Sequence, residues 1–113
     1  MAVGHYSPSK GHKLRYIVGQ MHDGIEWLEK FDDTVDLLYV DADGRGGKGK
    51  SIYYEVVEAA MHALKPGSLV VTHNSVNSGS ELTDFFSVVR DESKFRQSVN
   101  VFIDDQGIEV SVK

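Results

Sequence analysis

The sequence contains no cysteine, which excludes disulfide bonds, thiolate metal ligands and a cysteine nucleophile. No apolar run approaches the roughly 20 residues that a membrane-spanning helix requires. The first residues lack the charged and apolar regions of a signal peptide, so we expect a cytoplasmic protein without a membrane partner. The pattern Gly-x-Ser-x-Gly is also absent, so acyl transfer by a nucleophile-elbow serine has no support.

The sequence also has fewer positively charged than negatively charged residues. The 12 Lys and Arg residues are outnumbered by 17 Asp and Glu residues, which gives a net charge of −5. Non-specific nucleic-acid binding depends on a basic surface, so no nucleic-acid partner is expected. The 113 residues are 41% hydrophobic and 26% charged, as in an ordinary small domain. We therefore expect a single domain over residues 1–113, with a loose arm at residues 1–12.

Apolar periodicity predicts the element order βαβαβαββ. The predicted strands are residues 14–18, 35–40, 69–72, 99–103 and 108–112. The last two flank a turn with Gly107 at the position that needs a positive φ, which is typical of a β-hairpin. This alternation predicts an α/β fold, a three-layer sandwich with a mainly parallel sheet and an antiparallel C-terminal hairpin.

Three helices connect the predicted strands. The first covers residues 23–31, and the second begins after Ser51 and is stopped by residues 65–67, Lys-Pro-Gly. The third begins at a capping box in residues 78–81 and ends near Phe95. The apolar stripe of the second helix comprises Tyr53, Val56, Val57, Ala60 and Leu64.

Polar side chains follow two of the apolar strands. Asp41 and Asp43 come directly after residues 35–40, and His73 and Asn74 follow residues 69–72. Parallel strands joined by a right-handed helix end at the same edge of a sheet, where open α/β sheets bind their ligands. We therefore predict that these four side chains gather into one site.

The loop between the second strand and the second helix has two interpretations. Residues 44–51, Gly-Arg-Gly-Gly-Lys-Gly-Lys-Ser, match the phosphate-loop pattern G-x-x-x-x-G-K-[ST] in its usual strand-to-helix context. In that case Lys50 would balance phosphate charge and Ser51 would bind Mg²⁺. Asp41 and Asp43 just before the loop would repel a phosphate, however. The alternative is a glycine-rich surface loop with solvated lysines.

From about residue 13 onward the chain resembles the C-terminal half of a class I S-adenosylmethionine-dependent methyltransferase. The likeness is greatest to the metal-assisted catechol and caffeoyl-CoA O-methyltransferase family. The matching segments, in the family's order, are residues 16–19 (YIVG), 20–23 (QMHD), 36–43 (DLLYVDAD), 53–55 (YYE), 64–71 (LKPGSLVV), 78–95 and the final hairpin. The resemblance implies a partial Rossmann-like methyltransferase fold.

The resemblance also implies site residues. Gln20, Met21 and Asp41 would contact S-adenosylmethionine, and Asp41, His73 and Asn74 would hold a divalent metal that binds a hydroxylated small molecule. His73 stands where the family has Asp, which would shift the metal preference toward Zn²⁺, Fe²⁺ or Ni²⁺. Gly44 stands where the family has its lysine base, and Lys48 or Lys50 would have to serve instead. No catalytic residue is assigned.

The family's glycine-rich cofactor motif has no counterpart here, since no G-x-G-x-x-G precedes Arg15. The expectation is a methyltransferase-like domain that lacks the N-terminal cofactor-binding half. Without its neighbouring strands, the strand at residues 35–40 would expose an apolar edge, and such edges seek pairing. We therefore predict a homo-oligomer or a partner chain. The function hypotheses are methyl transfer to a small hydroxylated molecule, nucleotide binding by a phosphate loop, and binding or assembly without catalysis.

Overall fold

In the part of the chain that the structure describes, four strands form one mixed sheet, and three α-helices accompany them, one before the first strand and one in each of the next two connections. The computed structural model describes residues 24–43 and 49–113. The strands are β1 (Val35–Val40), β2 (Leu64–His73), β3 (Gln97–Val101) and β4 (Ile108–Val112). The helices are α1 (Gly24–Glu29), α2 (Ile52–Ala60) and α3 (Thr83–Val89), with a short 3₁₀ helix at Gly79–Glu81. The predicted strand at residues 14–18, the predicted cofactor contacts Gln20 and Met21, and loop residues 44–48 lie outside the described residues.

The strand order is β1-β2-β4-β3. β1 and β2 are parallel, whereas β4 runs antiparallel to both of its neighbours. The α/β class, the partial Rossmann-like arrangement and the C-terminal hairpin are thereby confirmed. In the parallel pair, Val40 lies opposite Thr72, so Asp41 and His73 leave the sheet at the same edge.

The core lies between the sheet and the described helices. Tyr53 and Val57 of α2 pack against Phe85 of α3 and against Val40 and Val70 of the parallel strands. The rings of Tyr53 and Phe85 meet edge to face, with centroids 6.0 Å apart. The opposite face of the sheet exposes Leu37, Tyr39, Leu69 and Val99. None of the helices described is long and apolar enough to cross a membrane.

The end of α2 differs from the prediction. α2 ends at Ala60, and Leu64 begins β2 instead of extending the helical stripe. The predicted stop signal at residues 65–67 therefore lies inside the strand. The pairing register with β1 shifts by several residues there, and Gly67 has a φ of 93°. Such an irregularity is where a strand tolerates proline, so the signal marks a bulge and not a helix end.

The predicted capping box does not form. Ser78 makes no side-chain capping bond, residues 79–81 form a 3₁₀ turn, and α3 begins only at Thr83. The helix also ends at Val89, well before Phe95. Just beyond its end, the Asp91 carboxylate accepts hydrogen bonds from the backbone and hydroxyl of Ser93. Such local bonds compete with helical ones and favour a turn.

Candidate functional site

The structure brings side chains from two strand ends and two loops into a cluster that we call the polar rim: Asp41, Asp43, Lys50, His73 and Asp104. His73 Nδ1 lies 3.5 Å from Asp41 Oδ2, and His73 Nε2 lies 3.3 Å from Asp104 Oδ2. The parallel register of β1 and β2 makes the first contact possible, because it ends both strands at one level. One imidazole therefore lies between two carboxylates.

The sequence did not predict the contact between Asp104 and His73. Asp104 lies in the loop between β3 and β4, where its Oδ1 accepts backbone N–H bonds from Gln106 and Gly107, both 2.9 Å long. These two bonds, the one from Gly107 first, lower the pKa of Asp104, and His73 lowers it further. The carboxylate is thus held in place and ionised. The Asp-x-x-Gly pattern of the hairpin turn was the available signal.

Lys50 turns back toward the end of β1. Its Nζ donates to the carbonyl of Ala42 at 3.2 Å and lies 3.1 Å from Asp43 Oδ1 and 3.8 Å from Asp41 Oδ1. Burial lowers the pKa of Lys50, but the contacts with Asp43 and Tyr53 more than compensate, so the net pKa is raised. Lys50 is therefore a charged ammonium, which suits a counter-charge and not a proton acceptor.

Asn74 adopts a left-handed backbone conformation, with a φ of 67°, which Asn tolerates better than most residues. Its side-chain amide donates to Asn77 Oδ1 at 3.1 Å. Asn74 thus follows His73 at the same edge of the sheet, as predicted from the strand ends. Its side-chain amide, however, is directed to the next turn of the chain and not to Asp41.

The predicted metal ligands do not fit a divalent cation in this arrangement. Each ring nitrogen of His73 faces a carboxylate oxygen, Lys50 neutralises Asp41, and the Asn74 amide is bonded to Asn77. Among the residues described, no group of three or more His, Asp or Glu side chains is arranged to hold a metal ion. The metal site remains a prediction that these contacts do not support.

The nucleotide-binding interpretation of the glycine-rich loop gains no support either. A phosphate-loop lysine must be available to phosphate oxygens. Lys50 instead lies against Asp43 and Asp41, and these carboxylates would repel a phosphate as the sequence predicted. The loop's own residues 44–48 lie outside the described part of the chain.

An apolar groove of about 390 Å³ runs beside β1 and ends at the polar rim. Its walls come from α1, β1 and α2, and they include Ile25, Leu28, Leu38, Val40, Ile52 and Val56. Asp41 and Ala42 lie at the β1 end of this groove. Asp41 therefore contacts both the groove and His73. It is also the one predicted cofactor residue that falls within the described residues.

A larger cavity, about 460 Å³, lies between α1 and α2. Its lining includes Glu29, Glu55, Glu58 and His62, and it shares only Ile25 with the groove beside β1. Because it does not reach the carboxyl ends of the parallel strands, we regard the polar rim and its groove as the better candidate site.

No protein-family profile and no curated protein matches the chain. Solved structures do match it. A protein assigned as an O-methyltransferase from Klebsiella pneumoniae aligns with a TM-score of 0.59 and 17% identity over 78% of this chain and 45% of its own. An O-methyltransferase from Bacillus cereus in complex with SAH aligns with a TM-score of 0.59 and 18% identity over 84% and 48%.

A protein assigned as a caffeoyl-CoA O-methyltransferase from Staphylococcus aureus aligns with a TM-score of 0.58 and 20% identity over 86% of this chain and 50% of its own. The chain thus spans about half the length of the structures that it matches. At these identities the likeness establishes the fold and nothing finer. The chain has a class I S-adenosylmethionine-dependent methyltransferase-like fold.

Proposed function

We propose that this chain carries the acceptor side and part of the donor side of an O-methyltransferase, which moves a methyl group from S-adenosylmethionine to a hydroxyl of a small molecule. The observation that carries the proposal is the convergence of Asp41, His73 and Asp104 at the carboxyl ends of a parallel strand pair. Open α/β sheets bind their ligands at that edge. The fold shared with O-methyltransferases, one of them bound to SAH, supports the proposal.

The groove beside β1 is the proposed donor side. Its apolar walls suit the uncharged parts of a nucleoside cofactor, and Asp41 marks the point where it meets the polar rim. S-adenosylmethionine supplies a methyl group on a positively charged sulfur. The carboxylates of the polar rim favour such a charge nearby.

His73 is the proposed proton acceptor. In this proposal Asp104 accepts a hydrogen bond from Nε2–H, and Nδ1, which faces Asp41 at 3.5 Å, takes the proton that the acceptor hydroxyl releases. Bound S-adenosylmethionine would supply the methyl group, and the hydroxyl proton would move to Nδ1. Asp41, 3.5 Å away, then stabilises the imidazolium. No residue other than His73 is then needed to accept the proton.

Replacing His73 with alanine tests this assignment. With catechol as the probe acceptor, we expect kcat/KM to fall by about 10²–10⁴-fold, the usual contribution of a general base. His62→Ala is the matched control, because His62 contacts the Phe31 carbonyl elsewhere on the molecule and should leave the rate unchanged. Equal losses in both variants, or none in His73→Ala, would show that His73 has no catalytic role.

Cofactor binding is measured separately by calorimetry with SAH. We expect measurable binding that Val56→Glu weakens at least about tenfold, since this change places a charge in the apolar groove. Glu58→Ala, on the same helix but outside the groove, is the control. SAH binding without any methyl transfer would favour a non-catalytic binding module. No binding at millimolar SAH would remove the basis of the proposal.

We also propose that the chain associates with a second copy through β1. Among the described strands, β1 lies at the edge of the sheet, and its Leu37 and Tyr39 are each 58% exposed. A strand that pairs with β1 would extend this exposed apolar face, and a second copy's β1 presents the same side chains. The second copy's β1 is therefore a fitting partner.

Light scattering on the wild type and on Leu37→Lys tests the association. A lysine on an edge strand opposes strand pairing, so we expect a wild-type dimer that dissociates at least about tenfold more readily in the variant. Val99→Lys adds the same charge on β3, at the far edge of the same sheet face. If Val99→Lys disrupts the dimer as strongly, the copies stack face to face instead. A monomeric wild type at high concentration contradicts both arrangements.

A further inference from the structure

The ammonium of Lys50 lies among three oxygen acceptors at the end of β1. They are the Ala42 carbonyl at 3.2 Å, an Asp43 carboxylate oxygen at 3.1 Å and an Asp41 carboxylate oxygen at 3.8 Å. A lysine ammonium has three N–H donors and no acceptor, so it can hydrogen-bond to the Ala42 and Asp43 oxygens and attract the more distant Asp41 carboxylate. Carbonyl and carboxylate oxygens are also what Mg²⁺ and Ca²⁺ bind in proteins. The Lys50 ammonium therefore occupies a position where a metal ion would otherwise find oxygen ligands.

Burial distinguishes this contact from an ordinary surface ion pair. The side chain of Lys50 is only 12% exposed, although Asp41 and Asp43 are 39% and 74% exposed. Its Nζ also lies 5.4 Å from the ring centroid of Tyr53, which is fully buried. The lysine stem is thus enclosed by the core while its charge reaches the rim. A side chain held in this way is part of the site and not a mobile surface group.

We propose that the Lys50 ammonium is the resident cation of the polar rim, and that the rim works without a divalent metal. A metal ion bound to Asp41 would lie within a few ångströms of this ammonium, and like charges at that separation repel strongly. On the other side of Asp41, the imidazole of His73 lies between Asp41 and Asp104, at 3.5 Å and 3.3 Å. This inference rests on the proposed function only in calling the rim the acceptor side.

The test is calorimetry with MnCl₂ on the wild type and on Lys50→Met, which keeps the apolar stem and removes the charge. We expect no binding by the wild type at millimolar MnCl₂, and an affinity at least about tenfold higher in Lys50→Met. Lys65→Met is the matched control. Lys65 also pairs with a carboxylate of β1, Asp36, but on an exposed surface, and its loss should create no site.

Two results overturn the proposal: submillimolar binding of Mn²⁺ by the wild type, or a folded Lys50→Met variant that gains no affinity over Lys65→Met. Circular dichroism establishes whether Lys50→Met is folded. If it is not, nuclear magnetic resonance on the wild type decides, because Mn²⁺ broadens signals near its site. Broadening at His73 and Asp41 with millimolar MnCl₂ contradicts the proposal, and unchanged signals support it. Neither the calorimetry with MnCl₂ nor the signal broadening depends on methyl transfer. Failure of the proposed function would show separately, as an absence of SAH binding by the wild type.

Discussion

Replacing Glu109 with alanine should lower the free energy of unfolding by about 3 kcal/mol, measured by urea denaturation at neutral pH. Glu109 is fully buried on β4, where Arg90 donates to both carboxylate oxygens at 2.9 Å. Ser98 and Asn100 on β3 donate to the same carboxylate. Its removal takes a shared acceptor from all of these donors, although Ser98 and Asn100 each keep one other hydrogen-bond partner. Arg90 is about half exposed and regains water, so we expect the lower end of the range for a broken buried pair.

The ionisation of Glu109 also makes the free energy of unfolding depend on pH. Burial raises the pKa of Glu109, but hydrogen bonds from Arg90 and Ser98 and the charge of Arg90 outweigh it, so the net pKa is lowered from its ordinary value of 4.5. A lowered pKa in the folded state means that the stabilisation is present above pH 4.5 and is lost as the pH falls through the folded value. Glu109→Gln should lack this acid-dependent component.

Glu92→Ala provides the control, because Glu92 is exposed just beyond α3. It should keep both the neutral-pH stability and the acid dependence of the wild type. If Glu109→Gln loses stability with falling pH as steeply as the wild type does, another group is responsible for the acid dependence.

Replacing Gly107 with alanine should cost about 2–4 kcal/mol of unfolding free energy, the sum of backbone strain and overpacking. Gly107 has a φ of 80°, which side chains disfavour. An added Cβ would lie 2.5 Å from Val76 Cγ2 and 2.7 Å from Ser75 Oγ. The Gly107 N–H also holds Asp104, so the change should disturb the contact between Asp104 and His73. Thermal denaturation gives the first effect and the His73 signals in nuclear magnetic resonance give the second.

Substitutions at two other glycines distinguish the backbone strain from the overpacking. Gly67 has a φ of 93°, and a Cβ added there would meet no atom within 4 Å, so Gly67→Ala should show the backbone strain alone. Gly79 has neither a positive φ nor a neighbour within 4 Å of an added Cβ, so Gly79→Ala should be nearly neutral. If Gly107→Ala is no more destabilising than Gly67→Ala, the contact with Val76 and Ser75 relaxes without cost.

The local pattern of the sequence determined the parts of the fold that depend on short segments. The apolar run of β1, the glycine of the C-terminal turn and the polar residues after β1 and β2 were each readable from neighbouring residues. The meeting of Asp41 and His73 followed from a general property of parallel strands. These features were predictable because each depends on backbone preferences or on a connection rule with few alternatives.

Only the tertiary structure determined which groups lie close to the charged side chains and balance their charge. Asp104 reaches His73 because the β3–β4 loop closes over the end of β2, and Lys50 turns inward because the core encloses its stem. The clearest case is β4, whose apolar and polar residues alternate. Alternation alone favours the apolar side as the core face, yet Glu109 and Ser111 are buried, while Val110 is only partly so.

The physical reason lies outside the strand. Arg90, at the end of α3, is placed over that face of the sheet and supplies the charge and donors that Glu109 requires. A buried carboxylate is tolerated only when such partners are present. Sequence determined the strand and its period, whereas the position of α3 determined which side of the strand faces inward.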